Sequence, residues 1–298
     1  VTEGGNTGYR LANADTANHG DIGDDAIDLS IQDALSTTRG ATGQYAFATG
    51  RRTTASGDYS TVFGRDNTAS GFISTAFGYN TIASNIYTTA FGRNTIASND
   101  YSTAFGYTTT ASGTYSTAFG RDTEATADYA TAWGRNNDAT GQYATAWGND
   151  TKATGDFSAT AWGASTSASG TYSTAFGRDT EATADYATAW GFNTEATGEF
   201  ATAWGRNTQA TGSYTSAWGL NTNANGILTT AWGSSTTAYG SYSTAVGFNT
   251  GAESYAQTTI GTYNTTQTGN ATSFATNDRL LVVGNGTGPS TRSDALVI

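Results

Sequence analysis

The residues that could do chemistry are few and scattered. Glu124, Asp128, Asp138, Glu181, Asp185, Glu195 and Glu199 are the carboxylates from which a glycosidase-like pair would be drawn, one donating a proton and one acting opposite it. They fall at the most variable place of a repeated unit or in its turn, which reads as solvated surface. His19 is the single histidine and has no partner motif, so a Ser-His-Asp triad is not expected. Asp21, Asp24, Asp25 and Asp28 crowd one short segment. They would hold a cation weakly at most, because the Gly-Gly-x-Gly-x-Asp pattern of calcium-binding solenoids is missing. There is no Cys, which removes thiol nucleophiles, iron–sulfur clusters and zinc–thiolate sites. No catalytic residue, metal or cofactor is expected, and the chain does not read as an enzyme.

Two rows of side chains are better organised. Arg51, Arg65, Arg93, Arg121, Arg135, Arg178 and Arg206 each follow a regularly spaced glycine. They form either a basic row that meets a ligand or a set of contacts between neighbouring coils or chains. Tyr79, Tyr107, Phe192 and Phe248 take the same place in other units, which favours packing. The second row is Phe63, Phe77, Phe91, Phe105, Phe119, Trp133, Trp147, Trp162, Phe176, Trp190, Trp204, Trp218 and Trp232. Such a ladder could stack sugars. Its fixed spacing, with an alanine one residue before nearly every ring, favours burial. Threonine rows at two further places have the regularity of flat ice-binding surfaces, but one of them shares the aromatic face, which argues against ice.

What positions these rows is a repeat. The glycines Gly50, Gly64, Gly78, Gly92, Gly106, Gly120, Gly134 and Gly148 step by 14 residues, as do Gly163, Gly177, Gly191, Gly205, Gly219, Gly233, Gly247 and Gly261. The join from Gly148 to Gly163 is one residue longer, so residues 38–262 hold sixteen units and one insertion. A fixed short period signals a solenoid. With the glycine as position 13, a unit reads Asn-Thr-x-Ala-Ser/Thr-Gly-x-Tyr-Ser/Ala-Thr-Ala-Phe/Trp-Gly-Arg. Fourteen residues make two short strands and two tight turns, at positions 6–7 and 13–1, but not a helix with its connections. The fold class is therefore all-β, a solenoid of sixteen coils stacked about 4.8 Å apart.

Variation sorts the faces. Position 3 accepts Thr54, Ile82, Glu124, Lys152 and Gly251, so it meets water. Position 4 is alanine in every unit, from Ala41 to Ala252, which marks the floor of a thin core. On the second strand, alternation sends Tyr115, Thr117 and Phe119 one way and Ser116, Ala118 and Gly120 the other. Neither set reads as solvated, the mark of a strand covered on both sides. One coil has one interior, so the aromatic face requires a partner, most simply further copies in closed cyclic symmetry.

Composition agrees. Lys and Arg number 13 against 24 Asp and Glu, a net charge of −11, which makes nucleic acid a poor partner. No run of about 20 apolar residues offers a membrane span, and no basic and apolar leader opens the chain. Any anchor or export signal is expected outside this stretch.

Tyr101–Gly106, Tyr-Ser-Thr-Ala-Phe-Gly, followed by Tyr107–Gly113 with Thr-x-Ala-Ser-Gly, resembles the 14-residue repeat of YadA-type trimeric autotransporter adhesin heads. The family pattern is Asn-Ser-Val-Ala-Ile-Gly with Ser-x-Ala-x-Gly between copies. This chain departs from it with an aromatic at the Ile place and Thr at the Val place. The resemblance covers residues 38–262. It implies a left-handed parallel β-roll, three chains around one axis, and attachment to host or matrix surfaces, with a glycan or extracellular-matrix ligand. The place of action is then extracellular or on a bacterial cell surface. A receptor-binding or spacer segment of a phage or contractile-injection tail fibre is the alternative function.

Residues 1–37 lose the period and suit a cap over the open sheet edge. Residues 263–298 read as a transition and the start of a following β module, with apolar strands at 279–284 and 293–298 forming a hairpin. Residues 111–134 and 168–191 are identical, so Arg121, Glu124 and Asp128 recur as Arg178, Glu181 and Asp185. They read as copied rather than individually selected.

Overall fold

The computed structural model describes residues 1–267 and 269–298. The chain divides into two compact units, Val1–Asn149 and Asp150–Ile298. Each is a parallel β-solenoid, and helix among the described residues is confined to one short 3-10 turn, Thr16–Asn18.

The sequence period becomes spatial register. In the first unit, Thr75–Tyr79 pairs in parallel with Thr89–Arg93, so Phe77 lies beside Phe91 and Gly78 beside Gly92. In the second, Thr188–Ala196 pairs with Thr202–Ala210, placing Trp190 beside Trp204 and Ala196 beside Ala210. Like residues therefore stack on like, and every column of the sequence becomes a column of side chains.

The core is as thin as the alanines require. All sixteen position-4 alanines, and the alanines at position 11, are completely buried. With methyl groups facing across the coil, the two sheets approach closely and leave no place for a larger side chain. The small polar residues at positions 2 and 9 complete this interior. At position 9, Ser74 Oγ donates to the Gly71 carbonyl at 2.7 Å and Thr215 Oγ1 to Gly212 at 2.7 Å, closing the turn between the strands. Position 2 is the second threonine row, and it is buried (Thr81, Thr95, Thr123, Thr208). That row faces inward and cannot meet ice.

The expected glycine turn is present as a bend in each coil, and it interrupts the strand in some coils, as between Thr75–Tyr79 and Ile82–Ala83, but not in others. Thr117–Ala125 and Thr174–Ala182 run as continuous nine-residue strands through the glycine corner. Gly120 adopts φ +130° and Asp122 φ +52° there, so the chain bends without releasing its neighbours. A Cβ on Gly120 would lie 1.9 Å from the Gly134 carbonyl oxygen. Glycine at position 13 is thus required by both dihedral angle and space.

The aperiodic ends also stack. Ile27–Ile31 pairs in parallel with Phe47–Arg51, and Tyr9–Arg10 with Ile27–Asp28. At the other end, Leu281–Asn285 pairs in parallel with Thr258–Thr262, setting Gly284 beside Gly261, and antiparallel with Asp294–Val297. The hairpin expected from the sequence is present, and its first strand continues the stack.

Candidate functional site

The outward face of the second strand carries the aromatic ladder. In the first unit, Phe63, Phe77, Phe91, Phe105 and Phe119 stack with centroids 4.6 to 4.8 Å apart and rings within 7° of parallel. Trp133 tilts by 51° on Phe119, and Trp147 stacks on Trp133 at 5.4 Å. In the second unit, Trp162, Phe176, Trp190, Trp204, Trp218 and Trp232 form the corresponding column. Within a single chain these residues are partly exposed, up to just over one-half at Trp232, while the small residue before each, alanine in all but Val62, is buried. Covering them requires a second surface.

A parallel column was not anticipated as such. Position 8 stacks Tyr101 on Tyr115 at 4.6 Å and Tyr115 on Tyr129 at 5.1 Å, and in the second unit Tyr186 on Phe200 at 4.6 Å. These residues sit at left-handed φ, 57° for Tyr115 and 60° for Tyr129, a costly conformation for a bulky side chain. Alternation from position 12 was the available signal, since positions 8 and 12 share one face.

The arginine row makes contacts between coils. Arg65 and Arg93 lie over the two faces of Tyr79 at 5.4 and 5.6 Å, and Arg93 and Arg121 over Tyr107 at 5.5 and 5.7 Å. Arg178 and Arg206 enclose Phe192 in the same way at 5.3 and 5.6 Å. Arg51 pairs with Asp33, Arg121 with Asp122 at 3.1 Å, and Arg178 with Asp179 at 3.4 Å. Hydrogen bonding from Arg51 is the main cause holding the Asp33 carboxyl below its ordinary range. Arg135 lies in register with Arg121. Tyr79, Tyr107 and Phe192 are therefore the partners of the cations beside them, whereas Phe248 meets the Tyr263 ring edge-on at 5.2 Å.

The carboxylates do not converge on a reaction centre. Asp128 accepts the Thr114 amide at 2.9 Å, and its copy Asp185 accepts that of Thr171 at 2.9 Å, so both tie adjacent turns together. Glu124 stands beside Asp138, and Glu181 beside Glu195. Glu195 accepts from Gln209 at 3.0 Å, and Glu199 is exposed. Glu195, Gln209, Asn193, Asn207, Asn221 and Asn223 line an open polar groove of about 260 Å³. In the N-terminal segment, Asp28 is buried against His19, at 2.8 Å, and Arg10, at 3.3 Å. Among the described residues, no group of three metal-binding side chains converges, and no helix is long and apolar enough to cross a membrane.

A coil with a small-residue interior and outward columns of identical side chains defines the class: a parallel β-solenoid of short repeats that presents repeated surfaces. The family model for the YadA head domain repeat matches residues 41–67, 69–95, 83–109, 97–123, 111–137, 139–166, 168–194, 196–222 and 224–250. The chain belongs to that family. No curated protein matches it.

Proposed function

We propose that this chain is the head or stalk segment of a trimeric cell-surface adhesin, which attaches its bearer to surfaces or host cells and performs no catalysis. Family membership supports a surface adhesin-like segment. The observation that carries the assembly is the aromatic column itself. In each unit a row of partly exposed Phe and Trp, backed by buried small residues, is too large an apolar surface for a lone soluble chain. A closed ring of three copies would turn that face inward and leave the variable position 3 outside. Attachment would then draw on many repeats of a weak contact rather than on one strong site.

Solution mass at micromolar concentration tests the assembly: three times the chain mass is expected, and a monomer would overturn it. Trp133→Asp places a charge in the covered ladder and should lower the mass or the midpoint of thermal unfolding. Unchanged mass and unfolding would mean that the ladder faces water. Polysaccharide turnover by the purified chain would contradict the non-catalytic reading.

A further inference from the structure

The last two coils of the array break the repeat at one place. Position 5 is Ser or Thr in the first thirteen units, from Thr42 to Thr211, and Asn225 in the fourteenth. It then becomes Tyr239 and Glu253. The chain beyond the array folds back over these two coils. Ser241 N–H donates to the Ala271 carbonyl at 2.7 Å, and Tyr255 N–H to that of Asn270 at 2.7 Å. Asp278 secures the returning segment by accepting from the amides of Asn270, at 2.9 Å, and Ala275, at 2.8 Å. Gly269 is pressed so closely on Ser254 that a Cβ would lie 1.9 Å from its Oγ. Between coil and segment lies a cavity of about 300 Å³ lined by Thr237, Tyr239, Glu253, Gly269 and Ala271.

Its two reactive groups are free. Tyr239 is 56% exposed, stacks on no other ring, and makes no side-chain hydrogen bond among the described residues. The Glu253 carboxylate likewise has no ion pair or hydrogen bond there, although the Glu253 amide is fixed by Gln257 Oε1 at 2.8 Å. In the aromatic and arginine rows, by contrast, rings such as Phe77 and Tyr115 stack on the next coil, and Arg65 and Arg178 lie over a ring of the neighbouring coil. An apolar ring face next to an unpaired carboxylate and the Thr237 hydroxyl matches a molecule with one C–H face and a rim of hydroxyls. The volume is at the small end of ligand clefts, enough for a single sugar ring or little more.

We propose that this pocket binds a neutral pyranose, its C–H face on Tyr239 and adjacent hydroxyls donating to the Glu253 carboxylate. Acidic sugars are excluded, because Glu253 would repel them and no lining residue is cationic. The proposal rests on the attachment reading above and gives it a ligand class, but it needs one chain only.

Calorimetric titration of the full chain with methyl glycosides of neutral hexoses, a uronic acid and choline tests it. Tyr239→Ser and Glu253→Ser are the informative variants, since the repeat itself places serine there and the fold is retained. Saturable binding of at least one neutral hexose is expected, weakened about tenfold or more in each variant, with none for the uronic acid. No saturable binding of any neutral hexose, binding in either variant unchanged from the parent chain, or preferential binding of choline would each overturn it. Solution mass measured on the same samples separates this failure from failure of self-association.

Discussion

The phenylalanine stretch of the first unit and the tryptophan-rich stretch of the second share one backbone and differ in how their rings use it. Phe77, Phe91, Phe105 and Phe119 stack nearly flush, and each ring is 37–38% exposed. In the second unit, Trp162 meets Phe176 at 81°, Phe176 meets Trp190 at 62°, and Trp218 meets Trp232 at 67° with centroids 6.4 Å apart. Trp162, Trp190, Trp204, Trp218 and Trp232 are 42–59% exposed. The coil spacing suits a file of like rings. Where indole follows phenyl, or two indoles tilt, the column covers itself less and offers more ring edge to another surface. A ladder can thus be tuned from self-covering to adhesive by ring choice alone.

Both stretches rest on one backbone, and the largest effect is expected at its glycine corner. Gly120→Val must clear both an inaccessible φ and the Gly134 carbonyl, and should cost about 4 kcal/mol or more, read as a collapse of the urea midpoint. Ala118→Leu tests the shared interior. Overpacking the methyl-thin core should cost about 2–3 kcal/mol, whereas Glu124→Leu on the outer face should leave the midpoint unchanged. Trp190→Phe converts one step of the second unit's column into the first unit's chemistry. It sets a second phenyl ring beside Phe176, and the two should adopt the flush geometry of the first unit, change the near-ultraviolet circular dichroism and alter stability by about 1 kcal/mol. Thr123→Val should raise stability by about 0.5–1 kcal/mol, since the buried Thr123 hydroxyl finds no partner and valine keeps its shape. The smallest effect concerns Asp33. Its carboxyl is held below the ordinary 3.8 chiefly by the hydrogen bond from Arg51. The stability it adds is complete above that value and disappears as pH falls through the lower folded-state value. Asp33→Asn should therefore flatten the acid limb of a stability–pH curve while leaving its neutral region almost level.

Much of this was legible because identical neighbours make position equivalent to environment. The unvarying alanine at position 4 announced the core, and the tolerance of Glu124, Lys152 and Ile82 at position 3 announced the outside. The glycine corner is legible as a bend, but a conformational signal at Gly120 and Asp122 says how the chain turns and not whether the strand runs on through it. The C-terminal hairpin was legible, but how the two ends join the stack was not, for another reason. Ile27 stacks on Phe47 across 20 residues and Gly261 on Gly284 across 23, so neither shares the 14-residue step. The Tyr239 pocket depends on a returning segment with no period at all. Its one sequence signal was the loss of Ser or Thr at position 5.

The single 15-residue coil carries a consequence of its own. Phe157 and Ser158 both take left-handed φ, 56° and 58°, so the extra residue is absorbed within the turn. The following strand returns to register, Trp162 beside Phe176 and Ala168 beside Ala182. Growth and loss of whole coils by unequal recombination need not halt at such an irregularity, and the same turn is a natural place to graft foreign peptides without disturbing the array.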